Sequence, residues 1–242
     1  MLLNPYRFGS NYVGNAVTFN GAAYLTRGAD YSGASDSSQM IFSCWIKLNS
    51  GNGSTHQIAT GGAGYNIQRS DTNKIHIQLD DGANSFQFGT ASTYTTSSGW
   101  LHILASCDTN YSVGNKLSHL YIDDTSDNST ITDGSAFTAD FTQTNHAIGA
   151  TTSGGLPLRA DIAEFYLAFG QYLDFSNSSN RRKFIDSDGY PVSLGSDGST
   201  PTGVAPTVYL SGQSTTFATN KGTGGGMTTN GSLTDAGTSP SD

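Results

Sequence analysis

Glutamate is almost missing from this sequence: of 242 residues, Glu164 alone is glutamate and only five are lysine. Without these two long-chained helix formers there is little material for helix, which excludes an all-helical fold. Charge of either sign is scarce, at 12% of residues, and the formal net charge of −8 comes from scattered aspartates. The single basic cluster is Arg181-Arg182-Lys183. It is too short to draw a polyanion, so nucleic acid and an anionic membrane surface are excluded as electrostatic partners. No stretch approaches the roughly 20 apolar residues needed to span a bilayer, so membrane insertion is not expected. Met1-Leu2-Leu3-Asn4-Pro5 lacks the basic start and apolar run of a secretory signal. Cysteine occurs twice, as Cys44 and Cys107, each inside an apolar stretch. Two buried thiols acting as small hydrophobes are expected there rather than a disulfide, in a protein made in a reducing cytoplasm and not secreted.

What is abundant is Gly, Ser, Thr and Asn, with 11% aromatics supplying core volume. The pattern is that of many short strands joined by turns. In Gly99 to Asp108, Leu101, Ile103, Ala105 and Cys107 share one face; Trp100, His102, Leu104, Ser106 and Asp108 share the other. Neither face is wholly polar, so this is an inner strand with material packed on both sides. Met40 to Leu48 alternates in the same double-faced way and is its natural partner. Lys74–Leu79 and Ser85–Phe88, around Asp80-Asp81-Gly82, predict a hairpin whose apolar face is Ile75, Ile77, Leu79, Phe86 and Phe88. Asn20-Gly21 between Ala16–Phe19 and Ala22–Leu25 predicts another hairpin, through a type I′ turn. Strands are also expected at 117–124, running into a turn, and at 131–141, 146–149, 161–169 and 207–210. Residues 50–64 read as a glycine-rich turn region, and one short helix is expected near 177–186, capped by Ser176. These features describe an arm at 1–15, an all-β domain at 16–212, and a polar, glycine-rich tail at 213–242 laid on the surface or on a partner.

Five pieces in order resemble the laminin-G-like, concanavalin A-like lectin-type domain. They are Phe19-Asn20-Gly21 with Tyr24-Leu25, Phe42 to Lys47, Gly99 to His102, Leu120 to Asp123, and Asp161 to Phe165. The resemblance implies a two-sheet antiparallel jelly-roll sandwich that often binds glycans, sometimes through calcium. The start, Leu2 to Phe8, and the end, Asn220 to Met227 with Asn230 to Leu233 and Ser239 to Asp242, resemble versions of this domain in tailed-phage virion proteins. This further resemblance implies a structural protein of the virion, a capsid decoration or tail component. It would be a homo-oligomer, with a trimer suggested by the resemblance alone, in contact with other virion proteins. The alternative is a lectin module that adheres to host surface glycan.

On the virion reading, Tyr6, Phe8 and Tyr12 of the arm and Phe217 and Met227 of the tail are candidates for filling a partner's pockets. On the lectin reading, Tyr65, Tyr94 and Tyr111 are candidate sugar-stacking residues, and Asp80 with Asp81 a candidate calcium position. Simple turn chemistry competes for the two aspartates. No catalytic residue is assigned. Glucanases of this fold use a Glu-X-Asp-X-X-Glu strand, and here Arg159-Ala160-Asp161-Ile162-Ala163-Glu164 puts arginine where the nucleophile belongs. None of the five histidines lies in a nucleophile context, and His102 beside Trp100 reads as a packed core histidine.

Overall fold

A computed structural model describes residues 15–242. The strands are, in chain order, β1 (Val17–Asn20), β2 (Tyr24–Arg27), β3 (Gln39–Leu48), β4 (His56–Gly61), β5 (Tyr65–Arg69), β6 (Ile75–Asp80), β7 (Ser85–Thr90) and β8 (Trp100–Asp108). They continue with β9 (Leu117–Ile122), β10 (Thr125–Ser126), β11 (Asn128–Asp133), β12 (His146–Ile148), β13 (Arg159–Phe169), β14 (Val208–Leu210), β15 (Thr228–Asn230) and β16 (Thr234–Asp235). The helix α1 (Ser178–Arg181) lies between β13 and β14. Two antiparallel sheets of eight strands result. The first runs β10-β9-β8-β3-β13-β1-β16 with β14 beside β13; the second runs β11-β7-β6-β5-β4-β12-β2-β15. This is the expected jelly-roll sandwich.

Alternation decides which side chains meet between the sheets. Met40, Phe42, Cys44 and Ile46 of β3 join Ile103, Ala105 and Cys107 of β8 against Ile75, Ile77, Leu79, Phe86 and Phe88 of the second sheet. The two thiols are free and fully buried. Each large side chain enclosed here contributes about 1.5–3 kcal/mol. The register of β3 with β8, Met40 opposite Cys107 through Lys47 opposite Trp100, is the pairing expected of two double-faced strands. On the outer side of the first sheet, Ile41, Leu104, Tyr166, Ala168 and Tyr209 are covered by Phe175, Phe184 and Leu194 from the long connection around α1. Arg181 and Arg182 fasten that cover by pairing with Asp124 at 2.5 Å each.

Four local expectations are corrected. Asn20-Gly21 does not close a hairpin: β1 pairs with β13 in the first sheet, while β2 pairs with β12 in the second. The Asn20 side chain accepts from the backbone N–H groups of Ala22 and Ala23, and this Asx turn carries the chain from one sheet to the other. Within the presumed turn region, β4 is a buried central strand, held between β12 and β5. The helix is a single turn, capped by Asn177 rather than Ser176, with Asn177 Oδ1 accepting from Ser179 N.

The fourth correction concerns the tail. β15 pairs with β2 and β16 with β1, so the C-terminal segment adds an edge strand to each sheet. Phe217 is fully buried and meets Phe19 edge-on at 6.3 Å. The sandwich therefore extends past residue 212, and Phe217 is a core residue unavailable to a partner. Met227 also packs partly against the core, with the Tyr31 hydroxyl 3.8 Å from its sulfur. Tyr6, Phe8 and Tyr12 lie outside the described residues.

Candidate functional site

The outer face of the second sheet has no such cover; among the described residues, none of its outward side chains joins a buried hydrophobic cluster. Strand register sets the composition of this face. Because Ile67, Ile77 and Phe88 point inward, the intervening Asn66, Gln78 and Gln87 stand opposite one another on the outside. The same row continues through Thr60, Ala147 and Thr26 to Thr228 at the far edge. A second row sets Gln68 opposite His76 and His76 opposite Gly89. Asn66, Gln68, His76, Gln78 and Gln87 are half-buried, while Thr60 and Ala147 are buried among larger neighbours. The face is thus made of amides and hydroxyls with little net charge. Burial holds the His76 imidazole below its usual range, so it is neutral at neutral pH.

Two hollows open on this face. One, of about 260 Å³, lies over β2 and is lined by Tyr24, Thr26, Asn145, Thr152 and Asn230, together with Arg27 and His146. The other, of about 170 Å³, lies over β5 and β6 and is lined by Gly62, Ala63, Tyr65, Asn66, Gln78 and Asp80. Asn230 Nδ2 donates to Thr26 Oγ1 at 2.8 Å, and Gln57 Nε2 donates to Asn66 Oδ1 at 2.8 Å, so groups on both sides are held in position. A third hollow, of about 240 Å³, borders Asn15 and residues 235–239 at the opposite sheet's edge. It adjoins the point where the described residues begin and is set apart from this face.

Of the site residues expected from sequence, Tyr65 and Asp80 border the hollow over β5 and β6, and the others are scattered. Tyr65 is buried between the sheets, tilted against Phe169 at 5.3 Å, and cannot stack on a sugar. The Tyr94 ring packs partly on the core and its hydroxyl donates to Asp127 Oδ2 at 2.7 Å. Tyr111 is 42% exposed, in the loop after β8 and away from the open face. Asp80 and Asp81 serve the hairpin turn. Asp80 Oδ1 accepts from Gly82 N at 2.6 Å, and Asp81 Oδ1 accepts from Ala83 and Asn84 at 2.8 and 2.6 Å. Those backbone donors, Asn84 first, hold the Asp81 carboxyl below its usual range. Among the described residues no three His, Cys, Asp or Glu side chains converge on a point where a metal ion could sit.

Asp161 and Glu164 belong to the first sheet, away from the open face. Asp161 Oδ1 accepts from Thr18 Oγ1 and Asn49 Nδ2 at 2.7 and 2.8 Å. Glu164 sits at a bulge of β13 with φ of 49°, and its Oε2 accepts from the Tyr209 hydroxyl at 2.6 Å beneath the cover. Both are buried. His102 is fully buried, stacked on Trp45 at 4.6 Å with Nε2 2.9 Å from Ser43 Oγ; burial lowers its pKa to about 3. It is the packed histidine expected.

Sequence reading missed Thr26, Asn66, Gln78, Gln87 and Asn230. The signal was present at the polar positions between Ile75, Ile77 and Leu79, which a one-face reading of that hairpin passes over.

Comparison with known proteins agrees with this architecture. No curated protein matches the sequence. Among solved structures, the chain is similar to a candidate carbohydrate-binding protein from Bacteroides ovatus ATCC 8483. The TM-score is 0.62 at 11% identity, over 94% of this chain and 62% of that one. It is also similar to domains LG4-5 of the mouse laminin alpha1 chain, with TM-score 0.49 at 16% identity, over 70% of this chain and 45% of that one. This chain therefore spans less than two thirds of the length of either, and identities this low show the fold alone. The family model of the concanavalin A-like lectin/glucanases superfamily matches residues 7–168. With that match and this sandwich, the chain belongs to the concanavalin A-like lectin/glucanases superfamily.

Proposed function

We propose that this protein is a non-catalytic glycan-binding domain and that the ligand lies on the open face of the second sheet. The observation that carries this reading is the row of uncharged amides and hydroxyls from Thr26 through Asn66 and Gln78 to Gln87, left uncovered while the opposite sheet is covered. Sugars present hydroxyls that both donate and accept, and amide side chains answer both needs. The similarity to the candidate carbohydrate-binding protein from Bacteroides ovatus supports the same reading. A hydrolytic role is disfavoured because Asp161 and Glu164 are buried in the first sheet and engaged by Thr18, Asn49 and Tyr209.

A virion role draws on two chain ends. The first lies outside the described residues. The second completes both sheets, which accounts for the tail without an attachment partner. Oligomeric state is open to sedimentation analysis, with a trimer the expectation from that resemblance.

The direct test is a glycan array probed with and without calcium. A reproducible hit is expected, retained in chelator, and lost when Asn66→Lys and Thr26→Lys together set long charged side chains along the row. Silence across the array, or a hit unaffected by the double variant, removes the proposal.

A further inference from the structure

We infer that the hollow over β2 is the primary subsite, that it takes a single neutral sugar ring, and that the C-terminal strand β15 forms one of its walls; the inference rests on the glycan-binding reading. Three separate parts of the chain meet there. β2 supplies Tyr24 and Thr26, the segments flanking β12 supply Asn145 and Thr152, and β15 supplies Asn230. Its volume of about 260 Å³ is below the roughly 300–1,000 Å³ typical of sites for drug-sized molecules, which suits one ring rather than a chain. The other hollow on the face is smaller, at about 170 Å³, and is lined by the Asp80 carboxylate-bearing turn.

Its chemistry points to hydroxyls. Asn230 Nδ2 donates to Thr26 Oγ1 at 2.8 Å. That bond leaves the Thr26 O–H as donor and the Asn230 carbonyl as acceptor, side by side, which matches two neighbouring sugar hydroxyls. Tyr24 is half-buried, and a Cβ on Gly154 would come within 3.2 Å of its hydroxyl, so a turn closes against the end of the ring. An aromatic face of this kind suits the apolar C–H side of a sugar.

Arg27 also borders the hollow, with its guanidinium N–H groups engaged internally. The Arg27 guanidinium is directed at the Asp30 and Gly226 carbonyls and the Ser32 hydroxyl, at 2.9, 3.2 and 3.4 Å. It thereby ties β2 to the C-terminal segment. The His146 imidazole at the same end has its pKa lowered to about 4, mainly by burial, and is neutral at neutral pH. With the Arg27 N–H groups engaged and His146 neutral, the Thr26 hydroxyl and the Asn230 amide carry the polar recognition, which a neutral sugar satisfies.

The full chain, titrated calorimetrically with free neutral hexoses and N-acetylhexosamines and with the matching uronic acids, decides the matter. A neutral monosaccharide is expected to bind, with no gain for its uronic acid. Thr26→Val, which keeps the side chain's shape, and Asn230→Ala are each expected to weaken binding about tenfold, the loss of one well-placed hydrogen bond. Asn230→Ala is read only if its unfolding midpoint matches that of the parent, since the residue also holds β15; Thr26→Val stands without that condition. Tighter binding of a uronic acid overturns the inference, as does unchanged binding by Thr26→Val. If glycan binding persists but responds to Gln78→Ala instead, the subsite is wrong and the glycan reading survives. If no saccharide binds the parent chain in calorimetry or on the array, both fall.

Discussion

On the first sheet the outward residues Ile41, Trp45, Leu104, Tyr166 and Ala168 are all buried, whereas on the second Asn66, Gln68, His76, Gln78 and Gln87 all reach solvent. The two sheets share one core and differ in what their strands carry at alternate positions. Apolar residues on both faces oblige the chain to bring a second layer, and residues 171–206 supply it through Phe175, Phe184 and Leu194. Strict alternation has no such need, and it leaves a whole face of the second sheet for other work. Buried polar groups such as Glu164 and Ser43 on the covered sheet are committed to internal bonds, whereas half-exposed amides on the open one keep spare capacity.

The tail bears on both sheets at once, so the largest effect is expected there. Phe217→Ala should cost about 3–5 kcal/mol in urea unfolding, with the two sheets lost together in one transition. A cost below about 1 kcal/mol would return the tail to the role of a surface strap.

Acid sharpens the contrast through the histidines. His102 behind the covered sheet and His146 between the sheets have pKa values lowered by burial to about 3 and about 4, against an ordinary value near 6.5. The unfolded chain therefore binds protons that the folded one refuses. Stability is fully present above about pH 6.5 and falls as the pH drops toward 4, by up to about 1.4 kcal/mol per pH unit for each histidine. Thermal unfolding midpoints across that range check the slope, and His146→Gln should flatten it. An identical slope in that variant would put the proton uptake elsewhere.

The cover is tested by Tyr209→Phe, which removes the hydroxyl that donates to buried Glu164. Loss of a hydrogen bond to a buried acceptor predicts about 1–3 kcal/mol in chemical denaturation. A neutral result would mean that the carboxylate's other neighbours suffice.

The smallest change is expected on the open face. Gln87→Ala touches no buried cluster, and its stability should stay within about 0.5 kcal/mol of the parent. A loss above about 2 kcal/mol would show that the face is structural and undercut its reading as a ligand surface.

Much of the fold was legible in residue order. β3 and β8 announced themselves as double-faced partners, and β6 and β7 as a hairpin with Ile75, Ile77, Leu79, Phe86 and Phe88 inside. Period-two alternation is a local property, so a sequence states it directly. β4 was illegible because His56-Gln57-Ile58-Ala59-Thr60-Gly61 carries no such period; its burial comes from neighbours on either side. Asn20-Gly21 misled because an Asx turn between sheets and a turn within a hairpin use the same residues.

By itself, then, the sequence determined the class of the protein: strands, not helices; two thiols kept as hydrophobes; an inner pair of strands with both faces to hide. Only the tertiary structure decided that Tyr65 belongs to the core and that the tail closes both sheets. It likewise decided that Asn66, Gln78 and Asn230 stand on one exposed face. The reason is physical. Side-chain alternation is written along the chain, but the edge strands of the tail are held by backbone hydrogen bonds, which any residue except proline can make. Which polar groups converge depends on strand order across the sheet, a relation between residues as distant as Thr26 and Asn230 that no local pattern encodes.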